Sequence, residues 1–344
     1  SERKVIKTLV GELEYDLLVI ANGSKTNYFG DKEMYNRTFP MKQIPQALDL
    51  RSHMLQNFEQ TVLSKEDEEK DRLTNFVIVG GGPTGVEVAG ALGELKKHVL
   101  PNDYPDIDFD IMKLHLVDAG PRLLAGMSEK SSAKAELYLK DFDVDVRLNT
   151  RLVSYDGRDV VLTDGTVIPA KTVIWAAGVT GNIMDGLPKE SIGGGRIIVN
   201  EFNEVKGLQD VFALGDIAGM YTAQTPKGHP MVAPVAIQQA TNLGKNLMRA
   251  QKGKPLKPFV YKDKGSMATI GRNRAVVDLP KFHFGGLFAW MVWMFIHLMS
   301  IVGFRNRLVI LANWVWNYLT YDRGTRLIIR TFVRNKDYKP GDTL

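Results

Sequence analysis

Residues Phe76 to Gly90, FVIVGGGPTGVEVAG, constrain the fold more than any other stretch. Four apolar residues, Phe76 to Val79, have the length and composition of a parallel strand buried on both faces. They run directly into Gly80-x-Gly82-x-x-Gly85, and Val86 to Leu95 then carry helical periodicity. A dinucleotide fold needs its parts in this order. The first glycine makes the tight turn, and the second lets backbone N–H groups approach a pyrophosphate. The third lets the helix pack close to the strand, so that its N-terminus faces the phosphate charge.

At 344 residues the chain has room for two or three domains. It contains no cysteine, which excludes disulfide scaffolds, thiolate metal sites and redox chemistry through a protein disulfide. The six histidines are scattered without metal-ligand spacing, so no metal site is expected. Residues 303–344 hold eight Lys/Arg against three Asp/Glu, which equals the net charge of +5 for the whole chain. The excess therefore marks a tail rather than a nucleic-acid-binding face. No signal peptide is visible at Ser1.

In chain order, residues 7–10 and 15–21 read as strands separated by Gly11, and the second breaks at Ala21-Asn22-Gly23. Gln46 to Glu69 reads as a helical region, with a domain boundary near Arg72. After the Gly80 unit comes a Pro- and Asp-rich insertion, His98 to Met112, before the sheet resumes at Lys113 to Asp118. Asp118 stands where a dinucleotide fold places the carboxylate for the adenosine ribose, its distance from Gly80 lengthened by the insertion. A solvent-facing strand end is the alternative. Arg122 could tolerate a 2′-phosphate, but the carboxylate favours NADH over NADPH. Ser128 to Phe142 reads as a helix, and short strands then alternate with turns at Tyr155-Asp156-Gly157 and Thr163-Asp164-Gly165. A strand at Thr172 to Trp175 breaks at Ala176-Ala177-Gly178. A further strand ends in Gly215-Asp216, and Pro234 opens a helix running to about Arg249.

The chain resembles the type II NADH:quinone oxidoreductases (alternative NADH dehydrogenases), flavoproteins with two dinucleotide-binding domains. The resemblance is carried by YDLLVIANGSKTNYFG, the Gly80 unit with Glu87, VFALGDIAG and VAPVAIQQATNLGKNL. It continues through YKDKGSMATIGRNRAVVDLP and GFRNRLVILANWVWNYLTY. It implies an α/β protein with two Rossmann-like domains, for FAD and NADH, and a C-terminal amphipathic-helix membrane anchor. The implied division is residues 1–72 and 183–262 for FAD, 73–182 for NADH and 263–344 for the anchor. Gly80, Gly82, Gly85 and Asp118 would hold NADH. Ala21, Asn22, Gly23, Gly178, Gly215 and Asp216 would hold FAD, with Pro234, Val235 and Ala236 at a helix end that stabilises negative charge on the flavin. Glu87 would sit near the nicotinamide and the flavin ring; charge compensation at the helix N-terminus is its alternative role. Gln238 would contact quinone, with Gln239 the neighbouring candidate, although Pro234 replaces the first Gln of the family's quinone pattern. The family's first Gly-x-Gly-x-x-Gly, which grips the FAD pyrophosphate, is not found, so the chain is expected to be N-terminally truncated and to hold FAD weakly.

Phe284 to Val302 is 19 residues without formal charge, Leu308 to Tyr321 is a second apolar stretch, and four of the five tryptophans lie in them. Arg305, Arg307, Arg323, Arg326 and Arg330 flank them. Apolar and aromatic residues beside clustered Arg describe helices lying in the interface of an anionic membrane rather than spanning it. A dimer seam is the competing use. The resemblance implies non-proton-pumping transfer of two electrons from NADH to ubiquinone or menaquinone, where electrons enter the respiratory chain. The expected position is the cytoplasmic face of a bacterial inner membrane, since no eukaryotic calcium-loop insertion is present, with the mitochondrial inner membrane as the alternative. A related flavin reductase with a soluble acceptor, or a membrane-bound nucleotide-binding protein without turnover, are the alternatives.

Overall fold

Phe76–Val79 alternates its side chains between two hydrophobic cores, and the sheet is built outward from this strand. Phe76 and Ile78 enter one core with Leu114, Leu116 and Ile174, while Val77 and Val79 enter the other with Val117, Val173 and Trp175. In the computed structural model, which describes residues 4–223, 225–320 and Phe332, these strands form a five-stranded parallel sheet. Its order is Phe39–Pro40, Thr172–Trp175, Phe76–Val79, Leu114–Val117, Val144–Arg147. Helices Ile44–Leu63, Pro83–His98 and Glu129–Lys140 supply Phe58, Ala89 and Leu139 to the first core. An antiparallel meander, Leu152–Tyr155, Asp159–Leu162 and Val167–Pro169, supplies Tyr155, Val160 and Ile168 to the second. Its turns fall at the two expected Asp-Gly pairs, where the carboxylates of Asp156 and Asp164 accept backbone N–H groups.

The chain divides into two compact units: Ser1–Asn27 with Val179–Lys264, and Tyr28–Gly178 with Gly265–Leu344. We call them the proline-helix unit and the glycine-turn unit. This division corrects the expected one. Residues 28–72 belong with the glycine turn, because Phe39–Pro40 extends its sheet and Leu50, Met54 and Phe58 fill its core. The residues after Gly265 also belong there, because Ala268, Ile270 and Val276 enter the same core. The Pro- and Asp-rich insertion is part of it too, with Leu100, Tyr104, Phe109 and Met112 buried.

In the proline-helix unit, parallel strands Leu18–Ile20 and Val211–Ala213 pair residue for residue. Arg196–Val199 pairs with Ala218–Met220, and Ser24–Thr26 with Val179–Gly181. Helix Ala233–Gln251 opens with proline in its first turn, as expected.

The C-terminal part of the glycine-turn unit is a three-stranded antiparallel sheet, Ser266–Thr269, Ala275–Asp278 and His283–Gly285, followed by helices Leu287–Ser300 and Phe304–Thr320. The first helix has 14 residues, about 21 Å of rise, short of the roughly 30 Å of a bilayer core. Among the described residues, no helix is long and apolar enough to cross a membrane. Asp278 fastens this sheet to helix Glu129–Lys140. Its carboxylate accepts from the Ser128 N–H, the Ser128 and Ser131 hydroxyls (3.0 and 2.6 Å) and His283 Nδ1 (3.0 Å). Burial pushes the Asp278 pKa up, but these hydrogen bonds outweigh it and leave the group below the ordinary carboxylate range.

A carboxylate with a depressed folded pKa adds stability at neutral pH. That contribution is lost as pH falls below about 3.9, the unfolded value, toward the folded one. Asp278→Asn is therefore expected to lower unfolding free energy by roughly 1–3 kcal/mol at pH 7. The deficit should narrow in acid, as measured by urea unfolding across pH.

Candidate functional site

The glycine turn gives each of its three glycines a separate physical reason. Gly80 has φ of +113°, and a Cβ there would lie 2.5 Å from the Ala176 carbonyl oxygen. At Gly85 a Cβ would lie 1.8 Å from the Gly80 carbonyl oxygen, so only glycine lets the helix begin this close to the strand. At Gly82, the N-cap residue, a Cβ meets nothing within 4 Å. Gly82 faces open space and has no side chain to keep a phosphate away from the helix N-terminus.

Asp118 ends the adjacent strand and reaches back to this turn. Its Oδ2 accepts from Gly81 N and its Oδ1 from Gly120 N, each at 2.6 Å. The carboxylate is thus fixed at the edge of the turn, half-buried, with lone pairs left for a ribose diol. The Arg122 guanidinium is spent on its own loop, donating to the carbonyls of Met127 and Ala125 at 2.8 and 2.7 Å.

Glu87 lies beyond the first turn of the glycine helix, and its Oε1 accepts from Thr269 N at 3.3 Å. Burial raises its pKa, against the opposing pull of the Thr269 N–H. Further along the same helix, Glu94 accepts from Arg272 N and pairs with the Arg272 guanidinium at 3.0 Å. Arg272 also donates to the carbonyls of Tyr318 and Asn317, capping the last turn of helix Phe304–Thr320. The glycine helix and the final described helix are therefore tied through one guanidinium, a link with no sequence signal.

In the proline-helix unit, the expected FAD residues converge. Ile20 pairs with Ala213, so Ala21-Asn22-Gly23 and Leu214-Gly215-Asp216 leave adjacent strand ends. Ser24 Oγ donates to Asp216 Oδ2 at 2.6 Å, and Asn22 Nδ2 donates to the Asn182 carbonyl. A Cβ at Gly215 would meet the Ala236 Cβ at 3.1 Å, which places the Pro234–Ala236 helix end against the Asp216 turn. That helix has no side-chain cap on its N-terminus. Gly178 is placed separately, as the last residue of the glycine-turn unit, beside Phe29.

Gln239 departs from its expected role. It is fully buried, and its Oε1 accepts from Gly215 N at 2.7 Å, so it braces the Asp216 turn and offers no surface to a quinone. Its Nε2 is buried without a partner among the described residues. A buried unpaired donor costs about 1–3 kcal/mol. Together with the uncapped helix end and the open space at Gly23, it fits a site built for a polar group such as FAD. Gln238 lies half-buried with both ends of its amide on Lys262: Nε2 donates to the carbonyl and Oε1 accepts from the N–H, each at 3.0 Å. One N–H remains.

Arg196 was not expected. It is buried and donates to the carbonyls of Asp216 (3.0 Å), His229 (2.8 Å) and Gly215 (3.4 Å). A charged residue between Gly193-Gly194-Gly195 and the apolar Ile197-Ile198-Val199 is the signal that marks it.

The C-terminal helices keep little of their apolar surface inside. Of the first, Ala289 and Leu298 are buried; of the second, none is. Phe288, Met291, Phe295, Phe304, Val315 and Trp316 are exposed. Arg307 caps the preceding helix through the carbonyls of Ile301 and Met299. Arg323, Arg326 and Arg330 lie outside the described residues.

The chain matches the family model for pyridine nucleotide-disulphide oxidoreductases over residues 2–240 and that for the NDH2 C-terminal domain over residues 264–321. It is 37% identical over 328 residues to the type II NADH:quinone oxidoreductase NdhA of Mycobacterium tuberculosis, covering 91% of this chain and 68% of that protein. It is 32% identical to Ndh of the same organism, covering 93% of this chain and 71% of that protein. Its fold is similar to that of NDH2 from Plasmodium falciparum solved in complex with NADH. There the TM-score is 0.83 at 20% identity, over 93% of this chain and 80% of that one.

The glycines separate binding from stability. Gly85→Ala is expected to destabilise the glycine-turn unit by several kcal/mol, because backbone must move. Gly82→Ala should leave the melting temperature unchanged while weakening NADH by roughly tenfold or more, through crowding of the phosphate approach. Calorimetric melting alongside NADH titration checks both.

Proposed function

Because the chain belongs to the type II NADH:quinone oxidoreductases, within the pyridine nucleotide-disulphide oxidoreductases, we propose how its residues serve electron transfer from NADH to a quinone. The chain uses NADH and FAD, and bound FAD supplies the two-electron chemistry. The observation that carries the reading is that one unit holds both the Gly80–Asp118 cradle and an uncovered apolar helix pair, joined by Glu94 and Arg272.

Gly80, Gly82 and Gly85 bring the helix N-terminus to the NADH pyrophosphate, and Asp118 accepts from the adenosine ribose hydroxyls. Glu87, held by Thr269, orients the nicotinamide. Asp216, anchored by Ser24 and by Arg196 through the backbone, takes the FAD ribitol, and Ala21-Asn22-Gly23 lies along the FAD nucleotide. The N-terminal end of the Pro234 helix offers partial positive charge to the flavin. Gln238, fixed on Lys262, keeps one N–H for a quinone carbonyl.

The apolar faces of the two C-terminal helices enter the membrane interface, where their acceptor resides. Without lipid, the same surface favours a homodimer. The reading puts the protein on the NADH-supplied, cytoplasmic face of a bacterial inner membrane. In this reading turnover is not coupled to proton pumping, and among the described residues no helix is long and apolar enough to cross a membrane.

Two substitutions test the roles in the flavin-loaded protein. Glu87→Gln should slow NADH oxidation by a soluble acceptor by about ten- to a hundredfold. It should also remove an acid-side inflection that lies above about 4.3, the ordinary Glu value, because burial raises this carboxyl. Gln238→Leu should leave that reaction intact and raise KM for a short-chain quinone. Loss of the soluble-acceptor reaction in Gln238→Leu, with Glu87→Gln unaffected, reverses the assignment.

A further inference from the structure

Charge in the chain has a second concentration besides the tail. Residues 245–264 contain seven Lys/Arg and one Asp. Lys245, Met248, Arg249 and Lys252 recur at i, i+3, i+4 and i+7, and so share one face at the C-terminal end of helix Ala233–Gln251. The chain then folds back onto that helix and is pinned there. Asn246 accepts from Lys257 N at 2.9 Å and donates to Lys257 O at 2.8 Å. Asn242 donates to the same carbonyl, and Arg249 Nε donates to Pro255 O at 2.6 Å.

The result is a hollow lined by Lys245, Arg249, Lys252, Lys254 and Lys257. Among the described residues none of the seven basic groups makes an ion pair with a carboxylate; the ion pairs of the protein lie elsewhere. A helix C-terminus accounts for cations in its last turn only, since the dipole falls off within that turn. It leaves Lys254, Lys257, Lys262 and Lys264 unexplained. Apolar side chains stand among the ammoniums: Met248 is 56% exposed, Leu256 36% and Val260 71%.

We propose that this surface docks onto anionic phospholipid headgroups, as a membrane contact separate from the C-terminal helices. The proposal rests on the membrane reading above. Clustered Lys/Arg with interleaved aliphatic residues is the pattern of attachment to an anionic leaflet, in which ammoniums take phosphates and short apolar chains enter the headgroup layer. A single-stranded nucleic acid would call for exposed aromatic platforms, and here Phe259 is buried.

Flotation of the flavin-loaded protein with phosphatidylcholine vesicles, and with vesicles that also contain phosphatidylglycerol, tests this. The wild type should bind both, the anionic vesicles more tightly, with that excess falling as salt rises. Combining Lys245→Gln, Lys252→Gln, Lys254→Gln and Lys257→Gln should cut anionic binding by at least about tenfold, given roughly fivefold per surface charge. Binding to neutral vesicles and NADH oxidation by a soluble acceptor should not change, and the matching Lys→Arg variant should keep the anionic preference. An anionic preference that survives the four glutamines overturns this proposal and leaves the membrane reading standing. Charge-dependent retention of a DNA duplex without any change in vesicle binding also overturns it. Absence of flotation with either vesicle overturns both.

Discussion

The approach of Gly85 to the Gly80 carbonyl, where a methyl group would fit only at 1.8 Å, is the contact on which the glycine-turn unit depends. It fixes where the helix starts and along which line it leaves the sheet. Because the start is fixed, Gly81 N meets the Asp118 carboxylate and the helix N-terminus points into open space at Gly82. Because the direction is fixed, Glu87 and Glu94 fall against the C-terminal sheet, where they accept from Thr269 and Arg272. One steric limit thus sets both the nucleotide end of the helix and its connection to the final helices.

Asp118 and Arg196 are stabilised by the backbone, whereas Asp278 takes most of its hydrogen bonds from side chains. Asp118 takes two N–H groups, Arg196 gives to three carbonyls, and Asp278 takes an N–H and two hydroxyls besides a histidine. A charge satisfied by backbone holds a loop in one conformation, whereas a surface ion pair between two long side chains constrains little. The loops so held are those that carry the proposed nucleotide contacts and the docked C-terminal sheet. Arg272 follows the same logic at a helix end, where its guanidinium meets carbonyls that would otherwise face water.

The turn itself was legible because its residues are adjacent in the chain and each glycine answers a local backbone demand. The two Asp-Gly turns of the meander and the proline-led helix were legible for the same reason; Asp118 was legible from its place at the end of the next strand, although it meets Gly81 across a sequence separation of 37. Unit membership was not. Residues 28–72 read as part of one domain and pack in the other, because a two-residue strand, Phe39–Pro40, carries almost no periodicity. In sequence Gln238 was the expected quinone contact and Gln239 the neighbouring candidate, with nothing local to show which is buried. Helical geometry turns them in different directions, so one is half-buried on Lys262 and the other is fully buried under Gly215.

By itself, the sequence determined the parallel-sheet class, the glycine turn between strand and helix, the acidic end of the next strand and the apolar stretch from Phe284 to Val302. These follow from short-range sterics and periodicity, which act within a few residues. The tertiary structure decided the bracing of Asp216 by Ser24, Arg196 and Gln239, the coupling of the glycine helix to the last described helix through Arg272, and the pinning of a lysine-lined hollow by two asparagines. Each of these joins groups through hydrogen bonds whose partners chain folding alone brings together. Their energies depend on burial and direction, which no linear pattern encodes.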